Sequence, residues 1–207
     1  MRFLLILCTT LCPLHADDAV LNAWLKKQAS ILTLDAAFTQ ERKLPALKEP
    51  TSTRGRLTFK KPDQFRWQLG EPAETLAISD GTTLTLIQSR EKTARQIAAN
   101  SPQAGRFSLL SGQAFQSIDR FNQAFEIIAW RVESGIHQYT LKPKDRRLLG
   151  QIPWVFLDIE PVKNTLTALE IVLQDKSRVR TIFDPPRINQ PAAASLFKPE
   201  LSGLEVK

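Results

Sequence analysis

From residue 32 onward the chain alternates apolar and polar residues, segment after segment. Leu34, Ala36 and Phe38 alternate with Thr33, Asp35, Ala37 and Thr39. Gly55, Leu57 and Phe59 alternate with Arg54, Arg56, Thr58 and Lys60. Phe65, Trp67 and Leu69 alternate with Gln64, Arg66 and Gln68. Successive side chains of a strand point to opposite faces, so each segment has one apolar and one wet face, as in an antiparallel sheet solvated on one side. Asp80-Gly81 between the β-rich runs 75–79 and 82–88 predicts a hairpin. Further strands are expected at 91–98, 124–133, 136–142, 152–160, 166–174 and 178–184, with a short one near 195–198 or 204–206. The total is about ten strands.

Few helices are available to cover the apolar face of such a sheet. Leu21, Trp24, Leu25 and Gln28 share one face of an amphipathic helix predicted at 18–30. Between 101 and 123 the alternation stops. Phe115, Ile118 and Phe121 recur there at helical spacing, which predicts one or two short helices after Phe107, Leu109 and Leu110. A sheet of this size curls, and about three short helices cannot fill its concave side as an ordinary core. The simplest solution is a mainly β fold: an incomplete, half-open antiparallel barrel with a helical lid and an apolar space between them.

Composition narrows the function. The 207 residues are 43% hydrophobic and 24% charged, with a net charge of +7, which suits a folded domain. Arg2 followed by an apolar run through Cys12, then Leu14-His15-Ala16, predicts an export signal at 1–16 and a single domain at 17–207. Both cysteines, Cys8 and Cys12, fall inside that signal, which leaves His137 as the domain's one histidine. No nucleophile-elbow, phosphate-loop or dinucleotide motif occurs, and no cluster has metal-ligand spacing. Asp158 and Glu160 share a strand face, a spacing that could serve acid–base work but more simply marks a solvated strand end. No enzyme activity, cofactor or metal is expected. Arg54, Arg56, Lys60, Lys61 and Arg66 form a basic face, but Phe65 and Trp67 point away from it. Bases could not stack between those cations, so no nucleic-acid partner is expected.

Several segments, in order, resemble the LolA family of periplasmic outer-membrane lipoprotein carriers. They are Phe38-Thr39-Gln40; Gly55, Leu57, Phe59-Lys60-Lys61-Pro62 and Phe65-Arg66-Trp67; Ile78-Ser79-Asp80-Gly81-Thr82-Thr83-Leu84; Leu141-Lys142-Pro143-Lys144; and Asn189, Phe197, Gly203 and Val206. The resemblance implies a half-barrel of about eleven strands under a lid of about three helices. It also implies an activity without covalent chemistry. A monomer in the periplasm takes acylated lipoproteins from an inner-membrane ABC-type release complex, shields their acyl chains, and delivers them to an outer-membrane acceptor.

The departures from the family pattern, Thr85-Leu86-Ile87 after the hairpin and Leu201-Ser202-Gly203 near the end, leave two alternatives. One is a shuttle for another acylated lipid or glycolipid. The other is a lipoprotein-binding envelope sensor, although such sensors usually carry a second domain. The expected acyl-binding residues are Phe38, Leu57, Phe59, Phe65, Trp67, Leu76, Ile78, Leu84 and Leu86 on the sheet, and Trp24, Leu109, Leu110, Ile118 and Phe121 on the lid. Lys61 stands where the family typically has a basic residue, often arginine, that latches the lid through its backbone carbonyls. Lysine supplies a compact ammonium in place of a planar fork.

Overall fold

The computed structural model describes residues 19–104, 107, 109 and 112–207. The predicted signal at 1–16 and the lid candidate Leu110 lie outside the described residues. Helix α1 (Ala19–Ser30) buries Leu21, Trp24 and Leu25, the predicted stripe. Strands β1 (Thr33–Lys43), β2 (Thr51–Lys60), β3 (Gln64–Leu69), β4 (Thr75–Asp80), β5 (Thr83–Gln88) and β6 (Thr93–Ala98) follow, each antiparallel to the one before. A crossing segment then carries 3-10 turns at Pro102–Ala104 and Gln113–Phe115 and helix α2 (Ile118–Ala124). Strands β7 (Phe125–Glu133), β8 (Ile136–Pro143), β9 (Trp154–Glu160), β10 (Thr165–Val172) and β11 (Arg178–Phe183) complete the meander, with helix α3 (Arg146–Leu149) between β8 and β9.

Two strands of two residues each, β12 (Arg187–Ile188) and β13 (Glu205–Val206), bring the described sheet to thirteen. The strands β1–β11 match the eleven that the family resemblance implies. β12 arises within the proline-rich stretch, where Arg187 and Ile188 pair with Asp35 and Leu34. The C-terminal strand forms at 205–206, parallel to β6, while Ala194–Phe197 is a 3-10 turn.

The strand order is β13-β6-β5-β4-β3-β2-β1-β11-β10-β9-β8-β7, with β12 beside β1. The sheet never closes. β6 and β7 are consecutive long strands, yet they lie toward opposite ends of that order. The chain between them therefore crosses the concave face. Along the way Ala104 and Phe107 pack on the cluster built from β1–β5, and Leu109, Phe115 and Phe121 pack with α1 and β7–β10.

Local chemistry fixes the hairpins and the curl. Asp80 Oδ1 accepts from the N–H groups of Thr82 and Thr83, both at 2.8 Å, and Gly81 adopts φ 102°, a turn that favours Asp-Gly. On the concave side Phe38 of β1 lies across Gly55 of β2 and stacks on Trp67 of β3, with ring centroids 4.2 Å apart. A Cβ on Gly55 would stand 2.3 Å from Phe38 Cζ and 2.5 Å from the carbonyl oxygen of Gln68. The glycine is what lets the two rings meet.

Ion pairs knit the convex face. Glu170 and Asp158 are buried against Arg178 and Arg180; Asp158 is thus a structural partner, and Glu160 caps the N–H groups of Val162 and Lys163. Asp35 accepts a two-pronged contact from Arg56, at 2.6 and 2.7 Å, and a further one from Arg187. The Arg56 hydrogen bond holds the Asp35 carboxyl below its usual pKa; burial opposes this and loses, and Arg187 adds to the lowering.

These contacts are open to test by mutation. Gly55→Ala should destabilise the fold by about 1–3 kcal/mol in urea titrations, as overpacking does, and a second change, Phe38→Leu, should restore only part because the Gln68 carbonyl still clashes. Asp35→Asn should cost stability near neutral pH. A carboxyl with a depressed folded-state pKa stabilises above its unfolded value, about 3.9, and stops doing so as pH falls through the folded value. The gap between variant and parent should therefore be flat near neutrality and close in the acid range below it. A gap that is unchanged in acid would refute the ion pair as its source.

Candidate functional site: a roofed apolar cavity

A cavity of about 520 Å³ lies between the two halves of the concave side. Its sheet walls are Leu34 and Ala36 of β1, Leu57 and Phe59 of β2, Leu166 and Leu169 of β10, and Phe183 of β11. Pro185, Pro186 and Ile188 continue that wall, and Trp24, Ile31, Leu109 and Phe115 roof it. The site is the seam between two packed clusters. One gathers α1, α2 and β7–β10; the other gathers the aromatic residues of β1–β3 with β5. Filling stops where they meet, because the lid bridges the clusters without occupying the gap. Such a volume falls in the ordinary range of small-ligand sites, about 300–1,000 Å³.

The polar side chains of the lining are Lys27, Gln28, Gln116, Glu160, Lys163, Asn164, Thr165 and Thr167. Lys27 and Gln116 also help fasten the roof. Lys61 donates from its ammonium to the carbonyl of Ala29 in the last turn of α1. On the opposite wall Lys27 Nζ donates to the carbonyl of Lys163 at 2.6 Å. Gln113 donates to Asp63 Oδ1 at 3.2 Å, and Gln116 to the carbonyl of Pro62 at 3.4 Å. The lid is thus strapped to the turn beside Lys61 and, through Lys27, to the β9–β10 turn. The Trp24 indole N–H is buried without an acceptor among the described residues. An unmade buried hydrogen bond costs about 1–3 kcal/mol.

The residues expected from sequence fall into distinct groups. Trp24, Leu57, Phe59 and Leu109 line the cavity. Phe38, Phe65, Trp67, Leu84 and Leu86 lie on the same face but in the filled cluster beside it. Ile118 and Phe121 pack within the lid-side core, where Phe121, Phe115 and Phe125 form a ring group.

Leu76 and Ile78 require a correction, since they belong to the convex face and pack with Leu201 and Leu204. The register sets Ala77 opposite Trp67 and Ser79 opposite Phe65, so the small residues of β4 face inward under the rings and the large ones face outward. Leu166, Leu169, Phe183 and Ile188 were missed. Strand parity could have placed Leu169 and Phe183 on the concave face, but Leu166 joins them only through a register shift between Leu166 and Ala168, and neither that shift nor the pairing of β1 with β11 has a local sequence signal.

An open antiparallel sheet roofed over an apolar cavity defines a half-barrel of the kind that holds hydrophobic ligands. The chain belongs to the family described as "Outer membrane lipoprotein carrier protein LolA", which it matches over residues 29–200. It is similar to the outer-membrane lipoprotein carrier proteins of Pseudomonas entomophila (strain L48), 27% identical over 89% of this chain and 85% of that one, and of Pseudomonas fluorescens, 26% identical over 96% and 92%. Solved structures share the fold at lower identity. A putative outer membrane lipoprotein-sorting protein domain from Vibrio parahaemolyticus is 9% identical, with a TM-score of 0.50 over 86% of this chain and 94% of that one. An uncharacterized conserved protein from Thermus thermophilus is 7% identical, with a TM-score of 0.52 over 90% and 96%.

Cavity wall and filled core are separable by mutation. Leu57→Trp should plug the cavity and abolish binding of an apolar fluorescent probe while the fold melts near the parent temperature. Leu84→Ala should cost about 2–5 kcal/mol, as core truncations do, yet leave probe affinity nearly unchanged. Equal effects of both variants on probe binding would contradict the division.

Proposed function

We propose that this chain is a periplasmic carrier of acylated lipoproteins, exported by the signal at 1–16. It takes them from an inner-membrane ABC-type release complex and passes them to an outer-membrane acceptor without making or breaking a bond. The reading is supported by membership of the lipoprotein carrier family. The observation that carries it is the apolar cavity, with its roof joined to the sheet by hydrogen bonds from Lys61 and Lys27.

The energetics suit the task. Exposing an acyl chain of about 15 methylenes to water costs roughly 12 kcal/mol, at about 0.8 kcal/mol each. A cavity as apolar as the bilayer makes pickup and delivery nearly balanced. The closed cavity takes on the order of one chain if a methylene is about the size of a water molecule, about 30 Å³. A triacylated anchor therefore requires the lid to rise, which breaks the straps.

Mass spectrometry of material co-purified from envelope extracts tests the cargo. Triacylated peptides support a lipoprotein carrier, while free fatty acyl species or glycolipid would reassign the chain to another lipid. Lys61→Leu should fold normally and alter release in a membrane-to-acceptor transfer assay. Transfer at the parental rate would remove Lys61 from the latch.

A further inference from the structure

A second pocket, of about 690 Å³, lies on the convex face, across the sheet from the apolar cavity. Its floor is a cross-strand row. Arg187 of β12 pairs with Asp35 of β1, Asp35 with Thr58 of β2, and Thr58 with Arg66 of β3. Arg56 and Gln68 form the next row on the same face. The segment from Gln190 to Ala192, together with Leu196, walls the other side, and the buried Phe197 follows it.

The charges on this floor do not balance. Asp35 is the one carboxylate lining the pocket against three guanidiniums, and its oxygens are already taken by Arg56 and Arg187. Arg66 is half-buried with no carboxylate partner among the described residues. Its one hydrogen bond runs to Gln68 Oε1 at 3.3 Å. Removal from water pulls the Arg66 pKa down, though an arginine stays charged. A guanidinium that is partly desolvated, without a carboxylate partner and set in a pocket open to solvent is chemically suited to receive an anion.

We propose that this pocket binds a phosphate group, gripped by Arg66 and by the Arg56 Nη1 that Asp35 leaves free, with Thr58 and Gln68 as neutral donors once they turn from their long contacts to Asp35 Oδ1, at 3.4 Å, and to the Gly70 carbonyl, at 3.5 Å. A tetrahedral anion suits donors that converge from several strands. The planar, two-oxygen role is already filled by Asp35. The phosphate can come from a lipid headgroup or from a free phosphate, and the site lies across the sheet from the acyl cavity, with Leu34 the lining residue they share.

Thermal shift and calorimetry with inorganic phosphate, against chloride at equal ionic strength, test the site. Phosphate should raise the melting temperature of the parent. Arg66→Met should remove that rise. Gln68→Glu, nearly isosteric and placed to pair with Arg66 internally, should keep the fold and weaken phosphate binding by about tenfold or more. Flotation with phosphatidylglycerol vesicles against phosphatidylcholine vesicles separates the sources. Recruitment to phosphatidylglycerol that is lost in Gln68→Glu assigns a headgroup, and phosphate binding without recruitment assigns a free phosphate. Indistinguishable phosphate and chloride curves, or phosphate binding unchanged in Gln68→Glu, would overturn the proposal. Uptake of an apolar probe by the cavity should be the same in every variant, so failure here leaves the acyl-carrier reading standing.

Discussion

A sheet that is apolar on one face and does not close has to be covered by something other than itself. Here the cover is imposed by topology. β6 and β7 follow one another in sequence but stand toward opposite ends of the strand order, so the chain between them spans the concave side. The apolar residues of that segment are drawn into whichever packed cluster lies beneath: Ala104 and Phe107 into one, Leu109, Phe115 and Phe121 into the other. A roof bridging two clusters, each packed to its own limit, leaves a seam. The cavity is that seam, and its existence needs no special cavity-forming residue.

The same arrangement explains how the roof is held. Burial of Trp24, Leu25 and Phe121 anchors α1 and α2 to one half of the barrel only. Toward the other half, among the described residues, the lid is held by the packing of Ala104 and Phe107 and by the hydrogen bonds of Lys61 to Ala29, Gln113 to Asp63 and Gln116 to Pro62. Solvent-exposed hydrogen bonds contribute about 0.5–1.5 kcal/mol each, whereas a buried aromatic contributes several times that when its cavity penalty is included. A lid fixed strongly on one side and weakly on the other has a built-in hinge direction. On the proposed reading, the weak side is the one that an acyl chain parts.

Much of this was legible in the sequence. Period-two alternation located strands β1–β3, the Asp80-Gly81 turn between β-rich runs located the β4–β5 hairpin, and the stripe Leu21, Trp24 and Leu25 located the buried face of α1. Opposite faces for Phe65/Trp67 and Arg66 also followed from parity alone. What escaped depends on register and on long-range pairing. Leu76 and Ile78 are the large residues of β4 and read as its core, yet the ring at Trp67 demands Ala77 across from it and turns them outward. Arg187-Ile188 joins β1 because asparagine and threonine contacts at its end tie that segment down: Asn189 Oδ1 accepts from the Leu32 N–H, and Thr33 Oγ1 donates to the Gln190 carbonyl. Nothing local distinguishes Phe59, which meets empty space, from Phe65, which meets Trp67 and its neighbours. Both are inward aromatics of the same hairpin. Wall and filling differ only in what arrives from elsewhere in the chain.

The replacement of a fork by a point charge at Lys61 fits the geometry of its partner. Ala29 offers a single carbonyl at the C-terminal end of α1, where unsatisfied carbonyls and the helix dipole both favour a cation. One ammonium suffices for one such acceptor. Lys27, reaching the Lys163 carbonyl from the same last turn, places a second cation at that helix end. Each strap is therefore favoured by the helix dipole as well as by its own hydrogen bond, and both are lost together if the last turn of α1 unwinds. On the proposed carrier reading, opening by fraying that turn costs less than lifting the buried body of the helix, so the C-terminal end of α1 is where the roof would yield.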